Sequence, residues 1–312
     1  MTGFKFTDDQ RTALKLIGGM VRNLLLFGGS RSGKTFILLF SIVVRALKAP
    51  GSRHAVFRFR HVHVRHAVLF DSFPKLMKMC FPGIEYKPCQ RDGFIRFRNG
   101  SEIWFIGLDD KNRADKILGR EFATVYFNEC SEISYPAMTT AMTRLAQRVR
   151  FHGSEELLPN KAYFDCNPPG KSHWSYRLFV QKLEPENNTP LLFPDKYDSM
   201  LLNPRGNREN LAEGYIEETL AELPERKRER FLDGNWLDDM EGALWKREMI
   251  DRFRVVNAPP MRRVVVGVDP AMTARPESDE TGIIVAGIDA KGEYYVLYDD
   301  SRRASPMGWA RA

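Results

Sequence analysis

Hydrophobic positions fall into short blocks along this chain. Leu24-Leu25-Leu26-Phe27 is an apolar run closed by a glycine-rich break, and the chain turns apolar again from Phe36 to Leu47, which predicts strand, loop and helix in that order. Upstream, Ala13, Leu14, Leu16 and Ile17 recur at helical spacing behind Phe6-Thr7-Asp8-Asp9-Gln10 and predict a short helix. Pro50-Gly51 stops the second helix, and residues 55–60 alternate as a strand that puts Arg58 and Arg60 on one face. A helical pattern over 68–79 is interrupted at Pro74, and residues 93–97 and 102–106 flank Asn99-Gly100, a hairpin signal. Two further apolar strands are predicted, 122–127 and 162–166. Strands alternating with helices predict an α/β fold around a parallel sheet.

From about Leu183 the texture changes. Prolines 185, 190, 194 and 204 separate short pieces, and 207–220 and 224–232 read as charged amphipathic helices. Residues 246–260 read as a linker ending in Pro259-Pro260. A second core follows, with strands expected at 264–270, 283–288 and 294–298, the last two joined by the turn 289–292. The expected division is a core at 1–182, a helical lid at 183–245, the linker, and a further domain from 261 to 312.

Composition changes this picture little: 312 residues, 43% hydrophobic and 28% charged, are ordinary for globular domains, so disorder is not the default. The net charge of +7 favours polyanions without proving one. Cys80, Cys89, Cys130 and Cys166 show no C-x-x-C spacing and follow no apolar leader, which reads as reduced thiols in a cytoplasm, and no apolar run is long enough to span a bilayer.

The candidate chemistry begins in the glycine-rich break. Gly28-Gly29-Ser30-Arg31-Ser32-Gly33-Lys34-Thr35 fits G-x-x-x-x-G-K-[ST] between a strand and a helix. In that pattern the glycines let successive N–H groups face phosphate oxygens, the lysine reaches the β and γ phosphates, and the threonine hydroxyl reaches Mg²⁺. Gln10 has two readings, a capping box with Thr7 or an amide that pairs with an adenine edge. The strand 122–127 ends in Asn128-Glu129, and a carboxylate at that end of a buried strand is placed to activate water near a γ-phosphate.

Other features leave both readings open or favour the plainer one. Asn167 ends the next strand before Pro168-Pro169-Gly170, and is either a polar sensor of the γ-phosphate or part of a simple turn. His61, His63 and His66 invite a metal reading that no completed ligand set supports, so a solvated junction is preferred. The cations between Lys111 and Arg120 fit a solvated loop. The interleaved glutamates of Glu225 to Arg230 favour a solvated helix face over a nucleic-acid contact. Asp269 ends the first strand of the second core, where an RNase H-like meander offers one acid to a two-metal site.

Together these residues resemble the large terminase subunit of tailed bacteriophages. Gly28 to Thr35 resembles its Walker A segment, Val125 to Glu129 its Walker B, and Cys166-Asn167-Pro168 its coupling motif. Asn203-Pro204 through Arg230 to Gly234-Asn235-Trp236 resembles its lid, and Val266 to Pro270 its first nuclease strand. The resemblance implies a P-loop NTPase (RecA/ASCE-like) core with a small helical lid and the first strands of an RNase H-like domain. It also implies ATP and Mg²⁺ as cofactors, with Mg²⁺ or Mn²⁺ for any nuclease activity. The implied partners are double-stranded DNA, a portal protein, the terminase small subunit and further copies in a ring, in the cytoplasm of a bacterial host.

On this resemblance Glu129 is the catalytic carboxylate, Lys34 and Arg31 stabilise charge, Asn167 couples hydrolysis to the lid, and Arg120 matches an arginine that a neighbouring subunit inserts. Asn128 stands where many relatives carry a Mg²⁺-associated Asp, so metal contact there runs through water or rests on Thr35 alone. Only Asp269 matches the nuclease acids, with Asp279 and Glu280 on a polar loop, so cleavage is not expected of this chain. The rival readings are another P-loop DNA helicase or remodelling ATPase, and an inactive prophage remnant.

Overall fold

The computed structural model describes residues 5–89, 91–109, 119–238, 252–255, 257–270 and 281–302. The chain divides into two compact units, Met1–Glu241 and Gly242–Ala312. Most of the cation run 110–118, the segment 239–251 and the loop with Asp279 and Glu280 lie outside the described residues.

The first unit is built on an eight-stranded sheet whose members are β1 Asn23–Gly28, β2 Arg53–Arg58, β3 Tyr86–Cys89, β4 Phe94–Phe97, β5 Glu102–Gly107, β6 Thr124–Phe127, β7 Lys161–Cys166 and β8 Tyr197–Leu202. Their order is β3-β4-β5-β2-β6-β7-β1-β8. The run from β5 to β8 is parallel, and β3 and β4 add an antiparallel edge. The central strands are buried on both faces, as expected for a parallel sheet covered twice. Leu24, Leu26, Val56, Tyr126 and Tyr163 pack into one core with α1 (Asp8–Gly18), α2 (Lys34–Lys48) and the helical stretch 61–80. Leu25, Phe57, Val125, Phe127 and Phe164 face the other. The expected α/β P-loop fold class is the fold observed.

Three local expectations need correction. The helix 61–80 runs through Pro74 unbroken: the Phe73 N–H bonds the Val68 carbonyl across a wide π-type turn, and the proline, with no N–H of its own, enters the turn that follows. The strand holding Arg58 stops there, so Arg60 does not share its face. The predicted helix 207–220 is two pieces, Pro204–Asn210 and Tyr215–Leu220, because Gly214 turns the chain with a φ of 75°. In addition Tyr197–Leu202, inside the span expected to be lid, pairs with β1 as the sheet's edge strand.

The second unit shows β9 Met261–Asp269, β10 Gly282–Asp289 and β11 Tyr294–Asp299 as an antiparallel meander in the order β11-β10-β9. Asp289 accepts from the N–H groups of Lys291 and Glu293 and closes the turn between β10 and β11.

Candidate functional site

Parallel order places the carboxyl ends of β1, β6 and β7 side by side, with β7 between the other two. The loop Gly28–Thr35 leaves β1 there and enters α2. It curls through positive φ at Gly28 (142°), Arg31 (58°) and Gly33 (88°). A side chain at Gly28 would strike the Leu202 carbonyl, and one at Gly29 would stand 2.6 Å from both the Phe231 carbonyl and the Pro204 ring. The segment expected to be the lid, hereafter the lid, therefore lies directly on this loop. The Ser30 N–H donates to the Phe231 carbonyl at 2.7 Å, and Asn207 Nδ2 donates to the Arg31 carbonyl at 2.7 Å.

Lys34 is buried, and its ammonium donates to the carbonyls of Gly28 (3.1 Å) and Gly29 (2.7 Å), to Ser32 Oγ (3.2 Å) and to Asn167 Oδ1 (3.1 Å). Burial lowers its pKa, against the raising influence of Asp165 and Glu129. The structure thus joins Asn167 to the loop lysine. Its neighbours in the same turn reach the span expected to be lid, where the Lys171 N–H donates to the Leu237 carbonyl at 2.9 Å.

Glu129 stands beyond the end of β6 with a left-handed backbone, φ 51° and ψ 53°. Such a conformation is uncommon for a residue other than glycine, and here the Glu129 N–H is held at 2.7 Å by Asp165 Oδ1. Burial raises the Glu129 carboxyl to about 7, and the negative charge of Asp165 adds to that, while Lys34 and Arg58 pull the other way. A carboxyl near neutrality can accept a proton from water.

Asp165 is the residue that the sequence reading passed over. It is 1% exposed and accepts from Thr35 Oγ1 (2.7 Å), the Tyr126 hydroxyl (2.7 Å), Asn128 Nδ2 (3.0 Å) and the Glu129 N–H. The signal available was a lone carboxylate inside an otherwise wholly buried strand, a position where charge needs a purpose or a partner. Arg58 is a second omission. It lines the same cleft, stands 4.0 Å from Glu132 and acts on Glu129 electrostatically.

A cleft of about 630 Å³ opens over these groups, lined by Gln10, Ser30 to Thr35, Arg58, Asn128, Glu129, Asn167 and the lid residues Asn207 and Tyr215 among others. Arg31 is exposed at its wall. Gln10 serves the capping box: its Oε1 accepts from the Thr7 N–H and its own N–H donates to Thr7 Oγ1, while its Nε2 packs against Gly33. Arg120 stands elsewhere, with its guanidinium 4.1 Å over the Trp104 ring. Asp269 belongs to the other unit, at the exposed end of β9. Among the described residues no group of three His, Cys, Asp or Glu is arranged to hold a metal ion, the three histidines included. The oxygen donors of Thr35, Asn128 and Asp165 nonetheless fit Mg²⁺, which uses one or two carboxylates together with substrate phosphates. Asn128 Oδ1 is buried with no hydrogen-bond partner, an acceptor left over beside them.

The family model described as terminase large subunit, T4likevirus-type, N-terminal, matches residues 25–252. The chain belongs to this terminase family. Solved structures agree in fold. The large terminase of a thermophilic bacteriophage is 17% identical, with a TM-score of 0.61 over 99% of this chain and 73% of its own. The same terminase solved in complex with ATP-gamma-S gives 0.58 at 17% identity, over 98% of this chain and 72% of its own. The large terminase of bacteriophage HK97 gives 0.55 at 12% identity, covering 94% of this chain and 63% of its own. No curated protein sequence matches. For this terminase chain, the family match spans the P-loop, Glu129, Asp165, Asn167 and the lid, and stops before β9. Among the described residues no helix is long and apolar enough to cross a membrane.

Proposed function

We propose that this terminase chain is the ATP-driven motor that moves double-stranded phage DNA through a portal into a procapsid. The observation that carries the reading is the pairing, across one cleft, of the buried Lys34 on its glycine loop with the Glu129 carboxyl held near neutrality. Gly28 to Thr35 cradle the phosphates through the N–H groups of the loop and the start of α2. Lys34 and Arg31 face the charge that develops on the γ-phosphate, and Glu129 orients the attacking water and takes its proton. Thr35 and Asn128 stand at the Mg²⁺ position, and the ion, when bound with the nucleotide, neutralises phosphate charge. The thermophilic-phage terminase solved with ATP-gamma-S supports ATP as the nucleotide here.

Asn167 couples hydrolysis to movement. It bonds the phosphate lysine, and the turn it begins bonds Leu237 of the lid, so a change at Lys34 has a short covalent and hydrogen-bonded route to the lid. Gln10 contributes its remaining amide N–H to the base edge, Arg120 enters the cleft of a neighbouring copy in a ring, and Asp269 is the first acid of a nuclease centre. The terminase small subunit and the portal are the protein partners, in the host cytoplasm.

The test is steady-state ATP hydrolysis by the purified chain with and without linear duplex DNA. DNA should stimulate hydrolysis, and Lys34→Ala should lose both nucleotide binding and turnover. Hydrolysis that ignores DNA, or that survives in Lys34→Ala, would overturn the motor reading.

A further inference from the structure

The chain carries Asn128 where the strand-end pattern calls for a metal-associated acid, yet the hydroxyl of Thr35 is not left without a carboxylate. β7 lies between β1 and β6, and its register sets Phe164 beside Phe127 and Asp165 beside Leu26. Asp165 is therefore level with Asn128, the residue just past the end of the adjoining strand β6. Alternation puts Tyr163 and Asp165 on one face of β7, the face that packs beneath α2 with Tyr126. Asn128 Nδ2 meets both Asp165 oxygens, at 3.0 and 3.3 Å, and also lies 3.4 Å from Thr35 Oγ1. Because the Asp165 oxygens only accept, the Asn128 amide must turn its nitrogen toward them and leave Oδ1 without a partner.

We propose that Asp165 has taken over the metal-associated acid position from Asn128. It accepts the Thr35 hydroxyl proton, with Oγ1 2.7 Å from Oδ2, which leaves a Thr35 lone pair for the cation beside the long 3.4 Å contact from Asn128 Nδ2, and it supplies the negative charge that Asn128 lacks. The bond from the Glu129 N–H ties the same carboxylate to the backbone of the proposed base, so one side chain sets both the cation ligand and Glu129. Every one of the four groups around Asp165 donates to it, as a carboxylate requires. A merely structural acid in this sheet would need donors, but not a P-loop threonine, a strand-end asparagine and a strained glutamate together.

This inference rests on the nucleotide reading above, and the two fail differently. Affinity for a fluorescent ADP is measured on the full chain in EDTA and in Mg²⁺, with Mn²⁺ affinity of the nucleotide complex read by electron paramagnetic resonance. If the parent chain binds no nucleotide under either condition, the ATPase reading falls. If it binds, Mg²⁺ should tighten ADP in the parent. Asp165→Asn should keep its EDTA affinity and lose most of that enhancement, with Mn²⁺ bound about 10–100-fold more weakly, as for loss of an outer-shell partner.

The exchange Asn128→Asp with Asp165→Asn keeps one acid and one amide in contact, and should recover the enhancement to within about threefold. An Asp165→Asn chain that retains the full Mg²⁺ enhancement overturns the proposal, as does one that loses ADP equally with and without Mg²⁺. Should Asp165→Asn fail to fold, the exchanged protein decides: a recovered Mg²⁺ enhancement supports the relocated acid, and a folded exchange without it refutes the assignment.

Discussion

Glu129→Gln separates the proposed base from its surroundings, because the amide keeps the size of the side chain and removes only its titration. The structure raises the carboxyl from 4.5 to about 7, mainly by burial and then by Asp165. At about 1.4 kcal/mol per unit, that shift sets a ceiling of roughly 3 kcal/mol on what ionising Glu129 costs the fold. The sign follows from which state holds the proton. Below pH 4.5 the carboxyl is protonated folded and unfolded, and the contribution is intact. Between pH 4.5 and about 7 the unfolded chain gives up its proton first, so stability falls until the folded group has titrated as well.

The substituted amide cannot titrate and escapes that loss. Without nucleotide, the variant should melt with the parent at pH 4.5 and above it at pH 8. For a unit of this size the difference should reach at most roughly 6–12 °C, from about 2–4 °C per kcal/mol. Hydrolysis should fall by about 10²-fold or more while nucleotide affinity holds. In the parent, kcat/KM should rise with pH to a plateau above about 7, the limb expected of a base that must be deprotonated in the free enzyme. Thermal melting at the two pH values and steady-state hydrolysis check this together. Near-parental turnover, or melting curves that coincide at both pH values, would refute the reasoning.

Gly29→Ala would place a methyl 2.6 Å from the Phe231 carbonyl and the Pro204 ring, so the lid must back away from the loop. A loss of about 1–3 kcal/mol in stability is expected, with weaker nucleotide binding, by denaturant unfolding and nucleotide titration. Binding to duplex DNA should be insensitive to sequence and fade as salt rises, which a titration at several salt concentrations checks; a tight salt-independent complex would contradict a translocation track. Plasmid nicking with Mg²⁺ or Mn²⁺ is not expected, since two-metal cleavage needs carboxylates from several elements and Asp269 is the one assigned; nicking abolished by Asp269→Ala would show otherwise.

What was legible in the sequence was local. Leu24 to Phe27, residues 122–127 and 162–166 stand out because parallel strands buried on both faces are almost wholly apolar, and the glycine loop announces itself by spacing alone. β8 escaped notice because it is an edge strand with Asp198 and Ser199 in it, half-buried and set between Pro194 and Pro204, so neither alternation nor continuous burial marks it. The acid of the site escaped for a different reason. Motif reading assigns chemistry to the residue at a strand's end, and at the end of β6 that residue is Asn128. Which strand lies beside β6 is a property of the sheet order and is written nowhere near residue 128. Only when β7 is seated between β1 and β6 does a carboxylate appear 3.0 Å from that asparagine, bonded to Thr35 on one side and to the Glu129 backbone on the other. Charge in such a site is a requirement on a volume shared by three strands, and any of their neighbouring side chains that points into it can meet the requirement.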